Sequence, residues 1–210
     1  MSAQIITFAP RHQSVPDDDM SQAFILEASA PQLNRDRHLY RHASESAIVI
    51  GVEPGMARSE LLRLKNSRST RTRSSVTSEA ASRKLEALQA YQKLTGTQLS
   101  PLTLRRGQYI ATMDGISEDR QLILDIHLLE DKGHDLREKM LAGVLPQHHK
   151  IKLQHMMMVS NAKNAHLWLY DEKYKDGNLV TIERCEGELA SNIFNEFLCI
   201  RMQFIGFIHI

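Results

Sequence analysis

The sequence predicts an α/β protein with a mixed central sheet flanked by helices. Three observations carry this. "GQYIATMDG" and "RQLILDIH" read as a strand into a turn and the strand that returns. "AHLWLYD" and "NLVTIER" repeat that pattern around the polar "DEKYKDGN". Helical segments stand before, between and after the two hairpins. At 210 residues the chain fits one domain with a real core, and 42% apolar and 24% charged residues are ordinary globular values.

Taken in order, residues 1–34 mix Pro, Gln, Asp and Ser without a period. They read as a loose arm with one short helix near "MSQAFILEAS", and residues 35–210 form the domain. "ESAIVIGV" is an apolar run ending in Gly51, "EPG" is a turn, and "ARSELLRLKN" is a short amphipathic helix. "NSRSTRTRSS" carries three arginines and no apolar residue, so it reads as a mobile loop. The next helix starts near Thr77 or Ser78, either a plausible N-cap, runs to Leu94 and stops at Gly96. Lys84 lies four residues before Leu88 and shares its face with Leu88 and Tyr91. A lysine on a packed face needs a partner or a job. The stretch 128–150 reads as loop-rich, "IKLQHMMMVSNA" as a helix, and "GELASNIFNEFLCIRMQF" as a closing helix.

The net charge is +1, so nucleic-acid binding would need a local basic patch. Two cysteines, Cys185 and Cys199, make no disulfide framework and fit a reducing cytoplasm. The N-terminus lacks the basic-then-apolar pattern of a signal peptide. "FLCIRMQFIGFIHI" is apolar but interrupted by Arg201 and too short to span a bilayer.

The chemistry-bearing stretch is "IATMDGISEDRQLILDIHLLED". Residues two apart on a strand share a face, so Asp125 and His127 project together and Ile126 faces away. Asp114, at the end of the partner strand, can approach the same point. Two carboxylates and a backbone carbonyl suit Mg²⁺ or Mn²⁺, which activate water and stabilise phosphoryl charge. A nearby cation would add electrostatic stabilisation. On these residues alone the bland reading outweighs the metal site: an Asp-Gly is more often a plain turn, and an Asp at a strand end is more often a solvated cap.

The order of segments resembles the lambda-exonuclease-like (YqaJ) family of phage recombination nucleases, from about residue 35 to about 197. "RHLYRHASESAIVIGV" is similar to the family's Arg…Ala-Ser segment, and "GVEPGMARSELLRLK" to its Gly-x-x-Pro turn and helix. "AYQKLTG" resembles the end of the family's next helix, and "ATMDG" its Ser-x-Asp-Gly. "LDIH" stands where the family has Glu-x-Lys. "LQHMMMVSNAKNAHLWLYD" and "VTIERCEGELASNIFNEF" resemble its Gln-containing helix and its last strands and helix. The resemblance implies a PD-(D/E)XK core and a metal-dependent exonuclease acting on linear duplex DNA ends in a bacterial cell. It further implies a ring-shaped oligomer and a single-strand annealing partner. Asp114, Asp125 and the Ile126 carbonyl would hold metal, Gln154 matches a family glutamine, and Arg37 and Ser44 would bind the terminal phosphate.

The departures fall on the active site. The family's helix glutamate aligns with Lys84, its strand glutamate is shortened to Asp125, its strand lysine is His127, and one of its glutamines is Lys152. Two readings stay open. Lys84 reaches in as a relocated catalytic cation, with His127 as base or extra ligand. Alternatively Lys84 neutralises both aspartates, and the protein binds DNA ends or a partner without cutting, as a recombination accessory or counter-defence factor. A folded interaction module with no nucleic-acid role is a third reading, from the near-neutral charge.

Arg68, Arg71 and Arg73, with Lys152, could clamp phosphates, or the arginine loop is simply solvated. His148, His149 and His155 with Cys185 invite a zinc reading, but no CxxC or HxxxH supports it. "HMMM" and Trp168 read as core.

Overall fold

The structure is a computed structural model, and it describes residues 5–7, 24–27, 39–66, 78–129, 134–142 and 144–185. The strands are β1 (Ile5–Thr7), β2 (Phe24–Glu27), β3 (Arg41–His42), β4 (Ser100–Arg106), β5 (Tyr109–Ile116), β6 (Leu122–Leu129), β7 (Asn164–Asp171) and β8 (Asp176–Glu183). The helices are α1 (Ser46–Ile50), α2 (Arg58–Asn66), α3 (Ser78–Thr95), α4 (His134–Leu141) and α5 (Gln147–Ser160), with a 3₁₀ turn at Ala43–Glu45. All eight strands join one sheet in the order β1-β2-β4-β5-β6-β7-β8, with β3 beside the start of β5. The sheet is mixed: β6 and β7 are parallel over their whole length, while β4–β5, β5–β6 and β7–β8 are antiparallel. The expected α/β class with a mixed sheet flanked by helices is what the chain forms.

The sheet separates two apolar layers. On one face, α1, α2 and α5 pack Ile48, Val49, Leu61, Ile151 and Met156 against Leu104, Met113, Ile123 and Leu167. On the other, α3 packs Ala87, Leu88 and Tyr91 against Leu124, Ile126, Trp168 and Tyr170. The period-two alternation of β6 feeds both layers, which is why its apolar run is nearly continuous. Gly177 is required by the second layer: a Cβ there would lie 2.6 Å from the Trp168 ring and 2.4 Å from the Leu169 carbonyl oxygen.

Gly51 and Gly96 take left-handed φ of 81° and 71°, ending α1 and α3 as their positions predict. Two expectations need correction, and one strand has no counterpart among them. Within "MSQAFILEAS" the described residues Phe24–Glu27 form a strand paired with β4 where a helix was expected: sheet pairing overrides a weak helical pattern. Residues 128–150 are not loop throughout, because α4 lies at His134–Leu141 and α5 starts at Gln147. β4 was not anticipated, since "SPLTLRR" carries Pro101 and two arginines. The expected closing helix lies outside the described residues. No helix among the described residues is long and apolar enough to cross a membrane.

Candidate functional site

The site begins with a defect in the sheet. Met113 pairs with Leu102 and Ile116 with Ser100, so β5 takes three steps where β4 takes two. The extra residue makes a bulge at Asp114–Gly115, a device that re-aims a side chain. β5 and β6 then pair through Gly115–Leu124 and Ile116–Ile123 before they diverge. In the opening, the Ile126 N–H donates to the Asp114 carboxylate at 2.8 Å. The carboxylate thus substitutes for the missing ladder partner.

Each aspartate is held by a lysine from a different helix. Lys84 Nζ, from α3, donates to both Asp114 oxygens at 2.7 and 2.8 Å. Lys152 Nζ, from α5, donates to both Asp125 oxygens at 2.7 Å. Burial would raise the Asp125 carboxyl, but Lys152 and, less strongly, Lys84 outweigh it and hold it below the usual carboxylate range. Burial would lower the Lys152 ammonium, but Asp125, with a contribution from Asp114, raises it. The two pairs therefore act on one another as a quartet of formal charge zero.

In each pair the carboxylate side chain is the more buried partner and the lysine side chain the more exposed one. The Asp125 and Asp114 side chains are 5% and 15% exposed, against 32% for Lys152 and 42% for Lys84. His127 follows Asp125 on the α5 side of β6, as the alternation predicts, and its ring meets His149 edge-on at 5.3 Å. His148 lies 4.4 Å from His149. Burial, then the neighbouring His148 and His127, push His149 down to about 4. Burial also lowers His127.

The remaining sequence-predicted residues divide. Gln154, expected in the catalytic set, joins backbone: its amide donates to the Glu183 carbonyl at 2.8 Å and its oxygen accepts from the Cys185 N–H at 2.9 Å. Lys152, expected at DNA, sits on Asp125. Ile126 meets Asp114 through its N–H. His155 is not with His149: it is buried, 2.7 Å from Ser46 Oγ, and burial pushes it down to about 3. Among the described residues no group of three or more His, Cys, Asp or Glu could hold a metal. Ser44 is exposed on the 3₁₀ turn, next to the buried Glu45 that Lys65 pairs at 2.8 Å. Arg37, Arg68, Arg71, Arg73 and Cys199 lie outside the described residues. Glu86, two residues from Lys84, accepts from Tyr170 and pairs with Lys175, so Lys84 is the α3 residue that reaches Asp114.

Mg²⁺ or Mn²⁺ requires hard oxygen donors with an excess of negative charge. Here all four carboxylate oxygens accept from ammonium groups, and two positive charges balance two negative ones. As it stands, the donor set does not fit a divalent cation.

No protein-family model matches the sequence, and no curated protein does. Solved structures do. An alkaline exonuclease from Laribacter hongkongensis aligns with a TM-score of 0.65 and 17% identity, covering 83% of this chain and 94% of its own. The same exonuclease in complex with dAMP aligns with a TM-score of 0.65. A phage-related exonuclease from Haemophilus somnus aligns with a TM-score of 0.55 and 14% identity, covering 78% of this chain and 92% of its own. This chain has the fold of these exonucleases. The resemblance read from segment order is thereby matched in three dimensions.

Proposed function

We propose that the chain is a DNA-processing protein of phage or mobile-element recombination whose exonuclease fold binds linear duplex ends without metal-dependent hydrolysis. The observation that supports this is the pair of lysines on the pair of aspartates. A divalent ion entering here would meet two ammoniums and no free carboxylate oxygen. Losing a carboxylate and gaining a cation at Lys84 removes about two units of negative charge from the centre. Lys152 removes a further one. The dAMP complex belongs to the Laribacter enzyme, and its fold supports DNA as the ligand class here.

A second reading is favoured by one feature. Lys84 enters from a helix and touches Asp114, as a relocated catalytic lysine would. In that reading Asp114 and Asp125 hold Mg²⁺ or Mn²⁺, Lys84 stabilises phosphoryl charge, and the chain is an exonuclease with a ring-shaped oligomer and an annealing partner.

The experiment is degradation of end-labelled linear duplex DNA over Mg²⁺ and Mn²⁺ concentrations, beside a binding assay on the same DNA. Retention of ends with no shortening is expected. Metal-dependent shortening that disappears in Asp125→Ala and Lys84→Ala would establish the second reading.

A further inference from the structure

We propose that Lys84 and Lys152 hold a DNA phosphate directly, in the place of divalent metal ions, so that duplex ends are bound without metal. This rests on the reading of the chain as a DNA-end binder and adds how its central pocket takes the ligand.

A neutral quartet can still attract an anion if its charges are ordered in depth. Asp125 and Asp114 are 5% and 15% exposed, while Lys152 and Lys84 are 32% and 42% exposed. A ligand approaching from solvent therefore meets the lysine side chains, Lys84 above all, before it meets the carboxylates. Coulomb energy falls with distance, so attraction exceeds repulsion. Each ammonium has three N–H donors. Two are directed to carboxylate oxygens in each pair, which leaves one per lysine for a ligand oxygen. The carboxylates fix both lysines on separate helices against one strand pair, so little side-chain freedom remains to be lost on binding. In a metal-loaded nuclease site the cation stands between protein carboxylate and phosphate oxygen. Here ammonium stands on the carboxylate, and a phosphate completes the same sequence of charges. The other titratable groups facing the quartet are His127, His148 and His149, and burial keeps His149 uncharged at neutral pH.

The test is fluorescence anisotropy with a linear duplex, in EDTA and in Mg²⁺, using wild type, Lys84→Met, Lys152→Met and the two Lys→Arg variants. A duplex whose terminal linkages are neutral methylphosphonates serves as a ligand-side control. Wild type should bind in EDTA without any need for Mg²⁺, and at matched ionic strength Mg²⁺ should leave the affinity equal or weaken it by competing for the phosphates. Each Met variant should bind about tenfold more weakly or worse, and each Arg variant should stay within about threefold of wild type. The methylphosphonate duplex should bind wild type about tenfold more weakly, which keeps the result readable if a Met variant fails to fold. A requirement for Mg²⁺, or Met variants and methylphosphonate ends that bind as wild type and native ends do, would overturn the inference and leave the end-binding reading standing. No DNA binding by wild type in either buffer would overturn both.

Discussion

Removing the Lys152 ammonium should expose how much stability the buried half of the quartet carries. Breaking a buried ion pair by deleting one partner costs about 3–5 kcal/mol, because the other charge is left in low dielectric. Asp125 meets that condition, being 5% exposed. Lys152 is 32% exposed, so water already screens part of the pair, and Lys84 also acts on Asp125. The discounted cost of Lys152→Met is about 2–3 kcal/mol. For a chain of this size each kcal/mol moves Tm by about 2–4 °C, so a fall of about 5–10 °C at pH 7 is expected. Without Lys152, burial is the larger influence on Asp125 and its carboxyl rises. Lowering the pH should then neutralise it at less acid pH than in wild type and shrink the gap between the two. Replacing both partners, Lys152→Met with Asp125→Val, removes the orphaned charge and should recover at least half of the loss. Calorimetry and urea denaturation on the four proteins of the cycle measure the coupling. A Lys152→Met variant as stable as wild type at pH 7, or a double variant whose losses simply add, would refute the reasoning.

Two further outcomes follow from the same charges. Lys84→Glu combined with Lys152→Gln takes the formal charge of the quartet from zero to about −3 and restores three oxygen donors, so Mn²⁺ binding followed by electron paramagnetic resonance should strengthen about tenfold or more; no gain would mean that geometry, not charge, closes the site. Stability should fall as pH drops below about 6.5: His149 and His155 are held near 4 and near 3 in the fold, so the unfolded chain binds more protons between those values and 6.5. Asp125, lowered in the fold, adds to the loss at more acid pH, below its unfolded value of about 3.9 and through its folded one. Urea denaturation between pH 7.5 and 4.5 checks the sign, and a flat or inverted profile would contradict the neutral buried imidazoles.

Some of this site was legible in the sequence because the relevant rules are local. Strand alternation places Asp125 and His127 on one side of β6 and Ile126 on the other, where it joins Leu88 and Tyr91. Helical spacing puts Lys84 on the inward face of α3, and it pairs with Asp114. The sequence places Lys152 among the DNA-binding candidates, although it is flanked by Ile151 and Leu153, which are buried in the helix that covers the sheet. That flanking was a usable signal. Its partner was not legible, because a lysine can meet any acidic group that the tertiary fold brings near. Gln154 shows the reverse difficulty. Its sequence match suggests chemistry, but its amide closes the backbone of Glu183 and Cys185. The bulge at Asp114 has no sequence signature beyond the following Gly115, whose own Cβ would stand 2.9 Å from Leu99. β2 and α4 depart from their sequence patterns because short elements take their state from pairing and packing more than from propensity.

The bulge also bears on what a retained aspartate means. In a metal nuclease the first carboxylate is kept because the ion needs it. Here Asp114 has a second task that needs no ion: it accepts the Ile126 N–H where β5 and β6 part. Without that acceptor, a partly buried backbone donor would be unpaired, at a cost of about 1–3 kcal/mol. Asp125 likewise anchors Lys152 between α5 and β6. Both carboxylates therefore hold the opened strand pair in shape with lysines as their counter-ions. Selection for folding alone would keep them, so their presence does not argue for catalysis. Under the proposed function the weight falls on Lys84 and Lys152, whose ammoniums occupy every carboxylate oxygen of the opening.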